Sequence, residues 1–235
     1  MMKRIMPLIP QLFTFSTLIA GMAAIILALE GHLTWAGSAI VIGVLTDMLD
    51  GKIARATKTG SEFGLQLDSL ADTVCFGVGA STFMYQYLRL QELASLASLL
   101  LVLPVPLAGV YRLARFNLLP AKTGHENDTM GLPITSAGGI LALTALSGLH
   151  YSPDSFPFSF PFSAILPLFL AVLMASRVRF PTFGSITRRK KTTAVVLGLG
   201  TVLSITFSPQ LISLTVLLSY VGFGVARAGY GLATR

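Results

Sequence analysis

One cysteine, three histidines and a charged fraction of 11% limit what this 235-residue chain can be. The lone Cys75 excludes an internal disulfide and any cysteine-rich metal site, and its place in an apolar stretch makes it a space-filler. Charge this sparse falls well below the roughly 25% usual in soluble globular domains. Acidic residues are scarcer still, ten against seventeen lysines and arginines. Composition gives no domain boundary and no internal repeat, so residues 1–235 read as one domain.

What the chain has instead is hydrophobic sequence, 53% of residues, with a mean hydropathy of +0.74. Apolar stretches of about 15 to 22 residues recur from end to end, as membrane-crossing helices require. The predicted fold is therefore all-α: a polytopic membrane helix bundle of about eight spans. The spans fall at 10–30, 34–54, 65–88, 93–114, 132–149, 161–177, 192–207 and 211–229. Met1-Met2-Lys3-Arg4 ahead of a long apolar stretch, with no A-x-A site after it, reads as an uncleaved first span. With both termini in the cytoplasm, every lysine and arginine except Arg89 lies on or near the cytoplasmic side. The net charge of +7 then serves topology and anionic headgroups, the Arg188–Lys191 cluster included, and not nucleic acid. The expected location is the plasma membrane, with the bilayer as partner.

Against this background one run stands out. Asp47, Asp50, Asp68 and Asp72 fall within residues 47–72, and a carboxylate near lipid is costly. On helices, Asp47 and Asp50 share a face, as do Asp68 and Asp72. Two antiparallel helices joined by the polar 56–63 connection bring both pairs together, at the cytoplasmic end of the second and third spans. Oxygen-only ligands suit Mg²⁺, Mn²⁺ or Ca²⁺ and suit zinc poorly. Salt bridges to Lys52, Arg55 and Lys58 account for one or two of the aspartates, but no basic residue follows Asp68 and Asp72 until Arg89. Gly51, Ala54 and Gly64 leave room for a ligand against the helix backbone, and Arg55 offers a fork for phosphate.

The pattern Asp47-x2-Asp50-Gly51-x2-Ala54-Arg55-x8-Gly64-x3-Asp68-x3-Asp72 resembles, without a departure, the signature of the CDP-alcohol phosphatidyltransferases. The resemblance implies an integral membrane enzyme that displaces CMP from a CDP-linked alcohol, commonly CDP-diacylglycerol, with the hydroxyl of a second alcohol. It implies that Asp47, Asp50, Asp68 and Asp72 hold one or two divalent cations, Mg²⁺ or Mn²⁺ with Ca²⁺ a further option. Asp72 is the implied general base; Gly51, Ala54, Arg55 and Gly64 are the implied CDP-binding residues. A homodimer is implied on the same ground.

Leu67 to Val78, Arg112-Leu-Ala-Arg115-Phe116-Asn117, Gly131 to Ile134 and Ser176 to Pro181 resemble the phosphatidylserine-synthase branch of that family. L-serine is thus the expected acceptor, with Arg112, Arg115 and Asn117 as the expected acceptor site. An arginine pair forks a carboxylate or a phosphate oxygen equally well, so phosphatidylglycerophosphate synthesis stays open. Glu126, Asp128 and His125 read as solvated loop residues, and His32 and His150 as external. A divalent cation transporter is the reading from another class. It would need a polar route across the membrane, whereas these acids cluster toward one face.

Overall fold

The computed structural model describes residues 8–57, 61–118, 128–150, 160–181, 217–222 and 224. The chain is helical: α1 (Leu8–Leu29), α2 (Leu33–Thr57), α3 (Glu62–Asp72), α4 (Ala80–Leu90), α5 (Ser95–Val102), α6 (Pro104–Leu118), α7 (Ile134–His150) and α8 (Phe160–Ala175). A π-helical segment, Thr73–Gly79, joins α3 to α4 without a break. The first, second, fifth and sixth predicted spans correspond to α1, α2, α7 and α8. The third is the continuous α3–π–α4 rod. The fourth is divided at Leu103, which keeps helical dihedrals (φ −55°, ψ −37°), because Pro104 has no N–H to continue the helical hydrogen-bond ladder, and it resumes at Pro104. The seventh span lies outside the described residues, and of the eighth only 217–222 and 224 are described, as helix.

Gln11–Leu29, Leu33–Ile53 and Ser95–Leu118 are long and apolar enough to cross a membrane, and Ile134–His150 and Pro161–Ala175 are shorter apolar helices. The chain is a multi-pass membrane protein. Lipid tails are as apolar as leucine, so these helices associate through close packing and polar fasteners and not through water exclusion.

The π segment is the hub of that packing, touching α1, α2, α3, α4, α6 and α7. Cys75 and Phe76 within it are fully buried, which bears out the space-filling role of Cys75. A Cβ built on Gly21 of α1 would lie 2.6 Å from Cys75 Cα, so only glycine permits the two backbones to meet here. The wider π turn carries one extra residue past the hub, setting the face of α3 independently of the face α4 buries. α7 runs through the interior, buried from Ser136 to Ser147 and packed on α2, α4, α8 and the π segment.

Two three-residue strands close one end. β1 (Asp128–Met130) pairs antiparallel with β2 (Arg179–Pro181), Thr129 opposite Phe180. Gly131 follows at φ 76°, where a Cβ would collide with the Met174 carbonyl, and its amide donates to Val178 O at 2.8 Å. Arg115 of α6 reaches across to this corner. Its Nη2 donates to Met130 O at 3.2 Å and Ser176 O at 3.0 Å, its Nη1 donates to Ala175 O at 3.4 Å, and its guanidinium lies over the Tyr111 ring. Carbonyls at a helix C-terminus have no partner within the helix, and a cation there is favourable.

Arg115→Ala should therefore lower stability by about 2 kcal/mol, the scale of charge-assisted hydrogen bonds lost from partly buried carbonyls. Arg115→Lys should restore only part of it, since an ammonium cannot fork across three acceptors. Melting of the detergent-solubilised protein checks this; an unchanged midpoint in Arg115→Ala contradicts it.

Candidate active site

The last turns of α2 carry Asp47 and Asp50, and α3 carries Asp68 and Asp72 one turn apart. The start of α3 is fixed by Ser61, whose Oγ accepts from the Gly64 amide at 3.0 Å, with Glu62 in the first turn where the helix dipole favours an acid. Gly64 is thus half-buried in that first turn.

From these two helices Asp47, Asp50 and Asp68 converge, each offering a carboxylate oxygen within 4.8 Å of the others. Unit charges that close repel by about 3 kcal/mol per pair at an effective dielectric of 20. Three such pairs, with Asp50 buried and Asp47 and Asp68 half-buried, form a cluster that a cation would relieve. The donors are all hard oxygens, the set that divalent ions of the magnesium, manganese and calcium type prefer. Asp72 stands apart from this trio. It is 7% exposed, its Oδ1 is buried with no hydrogen-bond partner among the described residues, and it lies within electrostatic reach of all three other aspartates and of Arg112. A buried carboxylate oxygen left unpaired is what a ligand or a proton would satisfy. The residues fit a hard divalent cation.

Asp50, 5% exposed, accepts a hydrogen bond from Thr14 Oγ1 of α1 at 3.2 Å and another from the Gly51 amide. Gly51 is half-buried at the edge of the cluster. α2 continues through Ala54 and Arg55, whose side chains lie outside the described residues.

Arg112 and Asn117 lie on the neighbouring α6. Arg112 is 7% exposed, stacked over the Phe116 ring at 5.9 Å, electrostatically coupled to Asp72 and Tyr220, and its Nε has no hydrogen-bond partner among the described residues. Asn117 Nδ2 donates to Ser69 Oγ of α3 at 3.1 Å, while its Oδ1 is buried with no hydrogen-bond partner among the described residues. α6 therefore sets an incompletely satisfied cation and amide beside the acid-bearing helix. Arg115, expected in the same role, is placed otherwise: its guanidinium is engaged by the carbonyls of Met130, Ala175 and Ser176. Of the loop residues, Glu126 and His125 lie outside the described residues, as does the side chain of Asp128.

Two contributors escape a reading of the sequence, Thr14 and Ser69. The only signal for Thr14 is a hydroxyl spaced three residues from Thr17 on one face of an apolar helix. Ser69 looks like an ordinary polar residue between two aspartates.

Comparison with known proteins places these residues in context. The family model for CDP-alcohol phosphatidyltransferases matches residues 7–178. The chain is 33% identical over 225 residues to a CDP-diacylglycerol–serine O-phosphatidyltransferase of Helicobacter pylori, covering 94% of this chain and 90% of that protein. It is 32% identical over 175 residues to the protein of the same name in Bacillus subtilis, covering 74% and 90% respectively. An archaetidylserine synthase of Methanothermobacter thermautotrophicus is 33% identical over 178 residues, covering 74% of this chain and 69% of that protein.

The trio makes a prediction whose sign depends on conditions. In chelator, Asp68→Asn should raise stability by about 1–2 kcal/mol by removing repulsion. In saturating Mn²⁺ the order should reverse, because the variant has lost a ligand and with it the binding free energy linked to folding. Thermal melts under both conditions check this; a change of the same sign in both contradicts a cation site here.

Proposed function

The chain belongs to the CDP-alcohol phosphatidyltransferase family, and from that membership we propose that it transfers the phosphatidyl group of CDP-diacylglycerol to the hydroxyl of L-serine, releasing CMP. The likeness to relatives named for serine carries the acceptor; buried Arg112, whose Nε has no hydrogen-bond partner among the described residues, supports a place for an acidic group beside Asp72 and the acid trio. The relatives named above share serine in the names they carry and differ in the lipid.

In this reading the serine carboxylate meets Arg112, with Asn117 alongside, which aims the serine Oγ toward Asp72. Asp72 Oδ1, buried and with no hydrogen-bond partner among the described residues, takes the hydroxyl proton as the new oxygen–phosphorus bond forms and the bond to CMP breaks. An aliphatic hydroxyl is too weakly acidic to attack without such a base. Asp47, Asp50 and Asp68, together with Asp72, would hold Mg²⁺ or Mn²⁺, which would supply charge neutralisation to the diphosphate and so make CMP a better leaving group. Gly51, Ala54 and Gly64 border the nucleotide where side chains would intrude, and Arg55 serves its phosphates. Arg115 acts through the corner it ties and does not touch substrate.

We further propose eight spans in one domain over residues 1–235, both termini and the active site at the cytoplasmic face of the plasma membrane, and assembly as a homodimer. The arginine and lysine asymmetry supports the orientation.

Purified protein given CDP-diacylglycerol with labelled serine or glycerol 3-phosphate separates the acceptors: serine should be incorporated and glycerol phosphate should not. Arg112→Ala should raise KM for serine about 10- to 100-fold, the scale of a lost charged hydrogen bond, and KM for CDP-diacylglycerol far less. Incorporation of glycerol phosphate alone reverses the assignment. Asp72→Asn should lower kcat at least about 100-fold, while Mn²⁺ binding falls less than in Asp50→Asn. A near-normal rate in Asp72→Asn removes its role as base.

A further inference from the structure

We propose that Thr14 is a positioning residue for the cation-binding carboxylate of Asp50, an inference that rests on the cation reading of the acid trio. Thr14 comes from α1, outside the aspartate-bearing helices, and is 6% exposed. Its Oγ1 donates to Asp50 Oδ2 at 3.2 Å. A hydroxyl bonded to one oxygen of a buried carboxylate restricts the rotation of the group, adding to the hold of the Gly51 amide and so presenting the carboxylate to the trio in one orientation. It also supplies a donor where two neighbouring aspartates, Asp47 and Asp68, supply only acceptors. Such supports around metal ligands commonly change affinity by about 10- to 100-fold when removed.

The rest of the α1–α2 seam makes the contact specific. One helical turn along α1, Thr17 meets Thr46 of α2 with their hydroxyl oxygens 2.8 Å apart, and Thr46 also donates to the Gly43 carbonyl at 2.9 Å. The two hydroxyl contacts run in antiparallel register, Thr14 with Asp50 and Thr17 with Thr46, and fix the rotation of the face that carries Asp47 and Asp50. Only the first touches a carboxylate. Thr17 therefore serves as an internal control: its loss removes a hydroxyl contact from the same seam without removing a donor from the site.

The test is Mn²⁺ binding to the full-length protein in detergent, followed by the loss of the free-ion electron paramagnetic resonance signal, with melting recorded for each variant. Thr14→Val, close in shape but lacking the donor, should weaken Mn²⁺ binding about tenfold or more. Thr14→Ser should stay within about threefold of wild type, and Thr17→Val should bind as wild type does even if it melts earlier. Equal binding by wild type and Thr14→Val overturns the role of Thr14 while leaving the cation site standing. Equal weakening in Thr17→Val and Thr14→Val also overturns it, since seam packing then explains the loss. No binding by wild type, or undiminished binding by Asp50→Asn, overturns the cation reading itself and this inference with it. If Thr14→Val fails to fold, Thr14→Ala and Thr14→Ser carry the comparison: loss in Ala with retention in Ser supports the donor, and retention in both overturns it.

Discussion

Three carboxylates held within 4.8 Å of one another on the helices of an apolar bundle, one buried and two half-buried, are the constraint on which the rest of the molecule depends. Left alone they repel, and the helices that carry them would turn away from each other. They are held by contacts spread over four elements. Ser61 caps α3, Thr14 and the Thr17–Thr46 pair fasten α1 to α2, and the π segment locks both helix pairs around Cys75 and Phe76. In the proposed cation reading, preorganisation of this kind would turn the mutual repulsion of the three carboxylates into affinity for the ion.

In a bilayer the usual hydrophobic contribution to helix association is absent, which changes the meaning of individual contacts. Gly21 matters because it lets α1 reach the Cys75 backbone. Arg115 matters because one guanidinium donates to the carbonyls of Met130, Ala175 and Ser176 and so ties β1 to the end of α8. The same physics separates the two arginines on one face of α6. Arg115 is absorbed by architecture, whereas Arg112, one turn earlier, faces Asp72 with a donor still to place. The corner that Arg115 ties thus serves the site indirectly, by fixing the helix on which Arg112 and Asn117 stand.

Much of this was legible in the sequence wherever the cause is local. The aspartate spacing encodes a helix face, so the meeting of Asp47, Asp50 and Asp68 follows from periodicity and one short connection. Helix positions follow from apolar length, and Pro104 marks the break in the fourth span. Asp72 was harder: spacing groups it with Asp68, while its separation from the trio depends on the tertiary position of α3. The role of Arg115 was hidden because its partners are backbone carbonyls, one 15 and two some sixty residues away, and backbone carries no residue signature. Thr14 was hidden because one hydroxyl in an apolar helix looks like any other. The π segment reads as ordinary helix, since nothing in Thr73–Gly79 departs from α-helical patterning strongly enough to announce an extra residue per turn.

Anomalous diffraction from crystals of the protein grown with Mn²⁺ tests the central claim most directly. A peak bonded to Asp47, Asp50 and Asp68, about 2.0–2.6 Å from their carboxylate oxygens as hard-cation coordination requires, is the expected result. No peak at the trio under saturating Mn²⁺, or a peak only elsewhere in the molecule, would contradict it.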